Sequence, residues 1–289
     1  MVYSKLVLSG GNLKGIAYIG VFKYLEEQGI SNFTDISGTS VGSLFGLLLV
    51  LGYTPDELTK ILTKFNFEEL LGYDINSLLT NFGLDDGRRM DKFISVFLKN
   101  KGLSPDTTFK ELYSNSGVNF CVNATCVKSK RHIEINHETY PEMTVALGVR
   151  ASLSIPLIFV PVKYNNLLLV DGCLSSNLPV KFFKEPEENS SNQDDSKILC
   201  ILLTSVTNEI LEETTDFDLA KFITCLPRCS FSRIEENDVE YAKNTLKADI
   251  LKLPLETEYT SEFKITQEAK NNLIQKGYNF TKEFFQLNS

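Results

Sequence analysis

Apolar residues recur along the chain in two patterns, short continuous runs that are typical of buried strands and longer stretches at helical intervals. Residues 6–8 are an apolar run ended by glycines, and apolar side chains then return at helical intervals from residue 15 to residue 29. The order repeats with a short run at 36–37, a glycine-rich turn at 38–42 and an apolar stretch at 44–51. This alternation predicts an α/β fold with a central, mostly parallel sheet flanked by helices on both faces.

The middle of the chain continues the pattern less regularly. Thr54 and Glu57 have the spacing of a capping box, which predicts a helix that begins there and continues to about Lys64. Residues 65–90 mix apolar residues with turn formers, as short helices and loops do. Apolar and polar residues alternate over 118–126, which predicts a strand buried on one face only.

Three more elements are predicted in the second half of the chain. A helical pattern over 143–153 stops before a proline, because the residue before proline avoids helical backbone angles. An Asn-Asn pair separates residues 160–164 from 167–170, and it predicts a hairpin because asparagine tolerates positive backbone angles. A last helix over about 266–286 is expected to pack on the body through Ala269, Leu273, Phe280 and Phe284.

The length and composition favour one substantial domain. The 289 residues are 43% apolar and 23% charged, which is ordinary for a globular chain. Residues 184–197 are polar and acidic, and we interpret them as an exposed loop because a buried strand pattern resumes at Ile198. We therefore expect a single domain over 1–289, with its motifs within residues 5–181.

Charge and composition exclude several classes of function. No apolar stretch approaches the roughly 20 residues that span a membrane, and the first 20 residues lack signal-peptide features. We expect a cytoplasmic protein with, at most, peripheral membrane contact. Six cysteines without a Cys-x-x-Cys pair and only two histidines predict reduced thiols and no metal or other cofactor. A net charge of -8 disfavours nucleic acid as a partner.

The strongest chemical motif is the turn Gly38-x-Ser40-x-Gly42, between a short strand and an apolar helix. This is the context of a nucleophile elbow, in which a strained turn presents a serine hydroxyl at the amino end of a helix. Glycines two residues before and after the serine let the backbone segments approach each other closely. The turn predicts Ser40 as a nucleophile with an exposed hydroxyl.

A second glycine-rich loop, residues 10–15, follows the first strand. In a parallel sheet it would lie beside the elbow, where its backbone amides can bind an oxyanion. The same loop misses the dinucleotide-binding pattern G-x-G-x-x-G by its middle glycine, and Ile16 stands where a Walker loop needs lysine. Dinucleotide binding is therefore retained only as a weaker alternative, since it does not explain the turn at Ser40.

Ser40 needs a base, and two kinds of residue are available. His132 and His137 lie in a polar segment without a distinctive setting, so they are more typical of solvated histidines than of a Ser-His-Asp triad. Asp171-Gly172 follows a predicted hairpin strand, where a side chain points toward a neighbouring loop. Asp171 is the better candidate, although an isolated aspartate after a strand more often caps a turn.

Together these blocks resemble the patatin-like phospholipases. The resemblance rests on four segments in the same order, and the C-terminal QEAKNNLIQKGYNFTKEFF also resembles the last helix of that family. The segments are LVLSGGNLKGIAYIGVFKYL at 6–25, SGTSVG at 37–42, RASLSIP at 150–156 and VDGCLSSNLPV at 170–180.

The resemblance implies a Ser-Asp dyad of Ser40 as nucleophile and Asp171 as base, acting on acyl esters of phospholipids or related glycerolipids without a histidine or a cofactor. It also implies an oxyanion loop, with supporting positions around it and around the dyad: Gly10, Gly11, Asn12, Lys14, Gly15, Gly38, Gly42 and Gly172. Two residues depart from the family pattern. Asn12 replaces a third glycine of the loop, and Cys173 stands where a glycine or alanine is usual; we expect Cys173 to be a small buried residue.

The Asn12 departure motivates a second alternative, a catalytically silent member of the family that binds membranes or partners. The sequence does not indicate an oligomeric state. Residues 65–82 are a possible interfacial lid that would bind lipid through Phe65, Leu70 and Leu71, although packing of these residues in the core is favoured.

Overall fold

The computed structural model describes residues 3–183, 197–205, 228–256 and 263–287. Most of its strands form one mixed sheet, and a separate pair forms a small second one. In chain order the strands are β1 Tyr3–Leu8, β2 Asp35–Thr39, β3 Gly83–Asp85, β4 Asn119–Cys126, β5 Arg131–Ile135, β6 Leu157–Phe159, β7 Val162–Tyr164, β8 Leu167–Asp171, β9 Lys197–Ser205 and β10 Asp249–Leu255. The predicted acidic loop lies, apart from Lys197, outside the described residues.

Helices cover both faces of the large sheet, and several short 3-10 turns connect them. The α-helices of the described segments are α1 Ala17–Glu27, α2 Val41–Val50, α3 Pro55–Leu62, α4 Ile75–Asn81, α5 Arg88–Asn100, α6 Phe109–Ser116, α7 Val145–Ser152, α8 Arg228–Asn244 and α9 Gln267–Leu287. The α3 helix begins at the predicted capping box, in which Thr54 and Glu57 satisfy each other's backbone amides.

Within the described residues the large sheet has eight strands, and five of them are parallel. The strand order is β10-β9-β1-β2-β4-β8-β7, with β5 also paired to β4. Strands β10, β9, β1, β2 and β4 run parallel, whereas β5, β7 and β8 are antiparallel to their neighbours. The α/β fold, the mostly parallel sheet and the β7–β8 hairpin around Asn165 are thus confirmed.

The sheet separates two apolar cores. Leu6 and Leu8 of β1 face the larger core with α1 and α2, whereas Val7 faces a smaller core that includes Ala242 of α8. The prediction that residues 118–126 form a half-buried strand is wrong on this point. Every residue of β4 after Asn119 is buried, because this central strand is covered on both faces.

Two strands share one edge of β4, end to end. The last pairing of β2 joins Thr39 to Asn123, and the first position beyond it, Ala124, pairs with Asp171 of β8. Strand β5 occupies the opposite edge, since it pairs with the same β4 residues. Because β2 is parallel and β8 antiparallel to β4, their carboxyl ends meet at one point of the sheet.

The last helix, α9, lies against α1 at a crossing built from glycines. A Cβ atom on Gly20 would lie 1.9 Å from the Ile274 carbonyl oxygen, and one on Gly277 would lie 2.1 Å from the Ala17 carbonyl oxygen. The predicted helix is confirmed, but its predicted face is only partly right. Lys270, Leu273, Gly277 and Thr281 are its buried residues, while Phe280 and Phe284 are only partly buried.

Replacing Gly277 with valine is expected to lower the free energy of unfolding by about 2 to 3 kcal/mol, because the added side chain meets backbone that cannot rotate away. Urea denaturation followed by circular dichroism measures the change. Lys282→Ala is the matched control, since Lys282 is exposed on the same helix. Equal unfolding midpoints for Gly277→Val and the native protein would contradict the close helix crossing.

Candidate active site

The turn after β2 holds Ser40 in a strained conformation. Ser40 has φ 52° and ψ -124°, a region that residues other than glycine rarely adopt. A Cβ atom on Gly38 would lie 2.6 Å from the carbonyl oxygen of Gly42, and one on Gly42 would lie 2.3 Å from the carbonyl oxygen of Leu8. The glycines two residues either side of Ser40 are therefore required by the closeness of the backbone segments.

The structure brings the predicted nucleophile and the predicted base together. Ser40 Oγ donates a hydrogen bond of 2.7 Å to Asp171 Oδ2, and the second carboxylate oxygen accepts one of 2.9 Å from the Cys173 amide. The meeting of β2 and β8 on β4 explains this contact, since Ser40 and Asp171 stand at the adjoining strand ends. Gly172 passes close to β4, with its Cβ position 2.4 Å from the Asn123 carbonyl oxygen.

Both side chains are shielded from solvent. Ser40 is 6% exposed and Asp171 is 1% exposed, so the prediction of an exposed Ser40 hydroxyl is wrong. Desolvation raises the pKa of the Asp171 carboxyl above its ordinary value, and the hydrogen bonds from Cys173 and Ser40 oppose that rise. Cys173 is partly exposed, so the expectation that it is a buried residue is wrong, although burial of its thiol raises the pKa of that group. This thiol is therefore not activated as a nucleophile.

The loop after β1 lies directly beside Ser40. The Cβ position of Gly10 is 3.3 Å from the Ser40 Cβ atom, so any larger residue would crowd the site. The Gly10 amide donates to the Asn177 carbonyl oxygen at 3.1 Å. Within the described residues, the Gly11 and Asn12 amides have no acceptor. Asn12 has φ 51°, which asparagine adopts more easily than most residues, so the loop keeps its turn without the third glycine.

Two supporting residues connect this loop to its surroundings. The Cβ position of Gly15 lies 2.2 Å from Val41 Cγ2, so the loop packs directly on the first residue of α2. Lys14 Nζ donates to Ser205 Oγ at the end of β9 at 2.8 Å. Lys14 therefore holds the loop against a neighbouring strand end and makes no hydrogen bond to Ser40 or Asp171.

Several residues that were not predicted from the sequence also build the site. Ser152 Oγ accepts from the Ser40 amide at 2.8 Å and donates to the Asn123 carbonyl oxygen at 2.6 Å. The Ser154 carbonyl oxygen accepts from the Asp171 amide at 2.8 Å. Ser152 and Ser154 belong to the RASLSIP block, so the sequence marked their segment. No local pattern marked Asn123, which lies in the interior of β4.

The two histidines are not hydrogen-bond partners of Ser40 or Asp171 in the part of the chain that the structure describes. His132 lies on β5 opposite Thr125, and the ring of His137 stacks on Tyr113 with 3.7 Å between centroids. Neither ring forms a hydrogen bond to Ser40 or Asp171. In the segments that the structure describes, no group of three histidine, cysteine or acidic side chains is arranged to hold a metal ion.

The fold and the site define the class of this protein. It is an α/β domain in which a serine on a strained turn is hydrogen-bonded to a buried aspartate at the carboxyl edge of a mixed sheet. A family model described as patatin-like phospholipase matches residues 6–184. The chain belongs to the patatin-like phospholipase family.

Three known proteins are similar to this chain. A probable lipid hydrolase of invertebrate iridescent virus 6 is 31% identical over 62% of each chain, so the match spans about three fifths of that relative. An uncharacterized Bacillus subtilis protein, YqhO, is 26% identical over 98% of both chains. The crystal structure of VipD from Legionella pneumophila has a TM-score of 0.66 and 17% identity, covering 99% of this chain and 67% of VipD. The VipD likeness shows the fold alone.

Proposed function

We propose that the protein is a serine lipid acyl hydrolase of the phospholipase A type, cleaving acyl esters of phospholipids or related glycerolipids. The observation that carries the proposal is the 2.7 Å hydrogen bond from Ser40 Oγ to Asp171 Oδ2 on a strained turn. Membership of the patatin-like phospholipase family and the similarity to a probable lipid hydrolase support this substrate class.

In the proposed reaction Asp171 accepts the Ser40 proton while Ser40 Oγ attacks the ester carbonyl carbon. The resulting tetrahedral oxyanion collapses to an acyl-enzyme, and the leaving alcohol takes the proton back from Asp171. A water molecule then attacks the acyl-enzyme as Asp171 accepts its proton. Collapse of the second tetrahedral intermediate releases the fatty acid, and Asp171 returns the proton to Ser40 Oγ. The raised pKa of Asp171 suits this role, because a more basic carboxylate removes a serine proton more readily.

The oxyanion site is proposed on the loop of Gly10, Gly11 and Asn12. The amides of Gly11 and Asn12 are its donors in this proposal, since the Gly10 amide is already bonded to Asn177. Gly10 contributes by bringing the backbone within reach of Ser40. Each such donor typically contributes about 100- to 1000-fold to the rate. Gly15 and Lys14 keep the loop against α2 and β9.

Hydrolysis of phosphatidylcholine with two different acyl chains tests the proposal, with the products identified by mass spectrometry. The expected result is release of free fatty acid and lysophospholipid by the native protein. Activity that persists in excess chelator is expected too, because the proposed chemistry uses no metal. A folded native protein that releases no acyl chain from phospholipid, glycerolipid or soluble ester would favour the catalytically silent alternative.

Contact with a lipid surface is proposed through α4 and its flanks. Tyr73, Ile75, Leu79 and Phe82 are 78%, 73%, 78% and 58% exposed, and we call these four residues the α4 surface. Large apolar side chains exposed together mark an interaction site. The helix itself, INSLLTN, contains no charged residue. None of the described helices is long and apolar enough to cross a bilayer, so the proposed contact is peripheral.

The α4 surface is connected to the candidate active site. Strand β3 follows α4 directly and pairs with β6 through Gly83 and Leu157. Strand β6 in turn begins three residues after Ser154, whose carbonyl oxygen accepts from the Asp171 amide.

The alternative contact through Phe65, Leu70 and Leu71 is wrong for Leu70, which is buried. Because the helix is uncharged and the chain has a net charge of -8, the proposed surface suits zwitterionic rather than anionic lipid. Free thiols at the described cysteines favour a reducing, cytoplasmic setting.

The double substitution Ile75→Ser with Leu79→Ser is expected to weaken binding to phosphatidylcholine vesicles at least about 10-fold, since each apolar side chain that enters lipid contributes about 1.5 to 3 kcal/mol. Co-sedimentation with vesicles measures the binding. Hydrolysis of a soluble ester is expected to stay unchanged. Val96→Ser with Val127→Ser is the matched control, because both valines are exposed elsewhere. Equal losses of binding in the two double variants would contradict the proposed surface.

A further inference from the structure

A buried carboxylate on α8 contacts the segment that follows Asp171. Asp238 is 2% exposed, and its Oδ2 atom accepts hydrogen bonds from Ser176 Oγ at 2.8 Å and from the Leu178 amide at 3.2 Å. Hydrogen bonds to a charged acceptor are stronger than neutral ones. Helix α8 lies beyond residues 6–184, so the family match does not reach Asp238.

The segment that Asp238 holds touches both halves of the candidate active site. The Ser176 carbonyl oxygen accepts from Thr39 Oγ1 at 3.0 Å and from Asn123 Nδ2 at 2.8 Å. Thr39 is the residue before Ser40. The next carbonyl oxygen, of Asn177, accepts from the Gly10 amide at 3.1 Å. Residues 176–178 therefore join the nucleophile turn to the loop proposed as the oxyanion site.

Helix α8 also holds this segment through Glu235. Asn177 Nδ2 donates to Glu235 of α8 at 3.0 Å, so a second contact also comes from that helix. Glu235 is only partly buried, whereas Asp238 is enclosed. A buried carboxylate whose donors are removed is costly, so the two donors and Asp238 hold one another in place.

We propose that Asp238 is a positioning residue, which through residues 176–178 aligns the Gly10 loop with Ser40. This inference rests on the proposed acyl hydrolase function and extends it to a residue of α8. Asp238 makes no hydrogen bond to Ser40 or Asp171, so it acts on the reaction only through the segment it holds. Small misplacements of a catalytic group are enough to slow a reaction, about 100-fold for 1 Å.

Three variants separate positioning from simple stabilisation. Asp238→Ala removes the acceptor of both hydrogen bonds, Asp238→Asn restores a neutral acceptor, and Glu240→Ala is the control because Glu240 is exposed on the same helix. We expect kcat on a soluble ester to fall about 10- to 100-fold in Asp238→Ala, with KM unchanged. Asp238→Asn is expected to recover part of the loss. Ser176→Ala, which removes one of the two donors, serves if Asp238→Ala does not fold.

The rate of reaction with a fluorophosphonate is a measurement that a change in stability alone does not alter. The rate constant of Ser40 labelling reports the alignment of the site, whereas the labelled fraction reports how much protein is folded. We expect the rate constant to fall with kcat in Asp238→Ala. A smaller labelled fraction with an unchanged rate constant would overturn the proposal and leave Asp238 a purely structural residue.

Hydrogen exchange tests the same positioning without requiring catalysis. The Gly10 amide, which donates to Asn177, is expected to exchange faster in Asp238→Ala than in the native protein and Glu240→Ala. Unchanged exchange would overturn the proposed alignment. If the native protein neither hydrolyses esters nor reacts with the fluorophosphonate, the acyl hydrolase function fails, and the exchange at Gly10 still decides whether Asp238 holds the loop.

Discussion

Ser40→Ala is expected to lower kcat for ester hydrolysis by about 10⁴- to 10⁶-fold, as the loss of a serine nucleophile does elsewhere. Alanine removes the attacking oxygen and leaves the turn, the Asp171 carboxylate and the Gly10 loop in place. Because Ser40 Oγ donates only to Asp171, little other structure depends on the hydroxyl. The variant is therefore expected to fold and to bind vesicles like the native protein.

Two measurements check this result. Initial rates on a soluble ester and on phosphatidylcholine give kcat, and intact-mass analysis after fluorophosphonate treatment gives the site of labelling. Ser114→Ala is the control, since Ser114 is an exposed serine on α6. If Ser40→Ala keeps a substantial fraction of the native rate, or if the label appears on another residue, Ser40 is not the nucleophile.

Asp171→Asn is expected to reduce kcat by about 10³- to 10⁴-fold, the scale at which a positioned base contributes. Asparagine has the same shape and can still accept from the Cys173 amide. Its amide group would face Ser40 Oγ as a donor, so the serine proton loses its acceptor. Initial rates measured together with the labelling rate constant test the effect, and undiminished rates would exclude Asp171 as the base.

The pH dependence of the native protein follows from the same carboxyl. Burial raises the pKa of Asp171, so the rate should decline with falling pH at a higher pH than an ordinary aspartate would give. Protonation removes the base, and the residual rate of Asp171→Asn should lack this acid limb. A pH-rate profile on a soluble ester distinguishes the two proteins.

The raised pKa of Asp171 also predicts that this carboxyl affects stability and activity in different directions. A carboxyl whose pKa is raised by folding contributes stability below its unfolded pKa, and this contribution is lost as pH rises through the folded pKa. At neutral pH, which is above the unfolded pKa, the raised pKa of the Asp171 carboxyl therefore disfavours the folded state. Asp171→Asn is expected to have a Tm at neutral pH equal to or above that of the native protein. A markedly lower Tm would indicate that the carboxylate also stabilises the fold.

The sequence predicted those parts of the site that local chemistry specifies. The turn around Ser40 and the loop at Gly10 need small residues because backbone segments come within contact there, so glycines mark both positions. Asp171 followed from the end of a predicted strand and from the family resemblance. Their roles in catalysis stay predictions, although the structure places Ser40 and Asp171 within hydrogen-bonding distance.

Residues that support the site from a distance could not be predicted in the same way. Asn123 and Asp238 are separated from Ser40 by long stretches of chain, and only the sheet order and the placement of α8 bring them near. The half-buried prediction for β4 failed for a related reason. An alternating pattern shows which side chains are polar, and it does not show whether they are buried. In the covered strand β4, small polar residues such as Asn123 are buried together with their hydrogen-bond partners.

The sequence also could not predict which side chains are exposed in the segment before β3. Leu70 and Leu79 are chemically identical, yet Leu70 packs in the core and Leu79 projects outward. Helices and turns of four to seven residues are too short for a periodic pattern to identify the buried face. The possible lid over residues 65–82 stays a prediction, and one of the residues named for it, Leu70, is buried.

The end-to-end arrangement of β2 and β8 on β4 separates the Ser40–Asp171 pair from the α4 surface proposed to contact lipid. Register along a single strand sets the distance between Ser40 and Asp171. The long connection between β2 and β4 carries the α4 surface, whereas the connection between β4 and β8 contributes Ser152 and Ser154, which bind the Ser40 and Asp171 amides. Relatives can therefore diverge in what they bind, by altering the connection between β2 and β4 in length and sequence, while the contact between Ser40 and Asp171 stays unchanged.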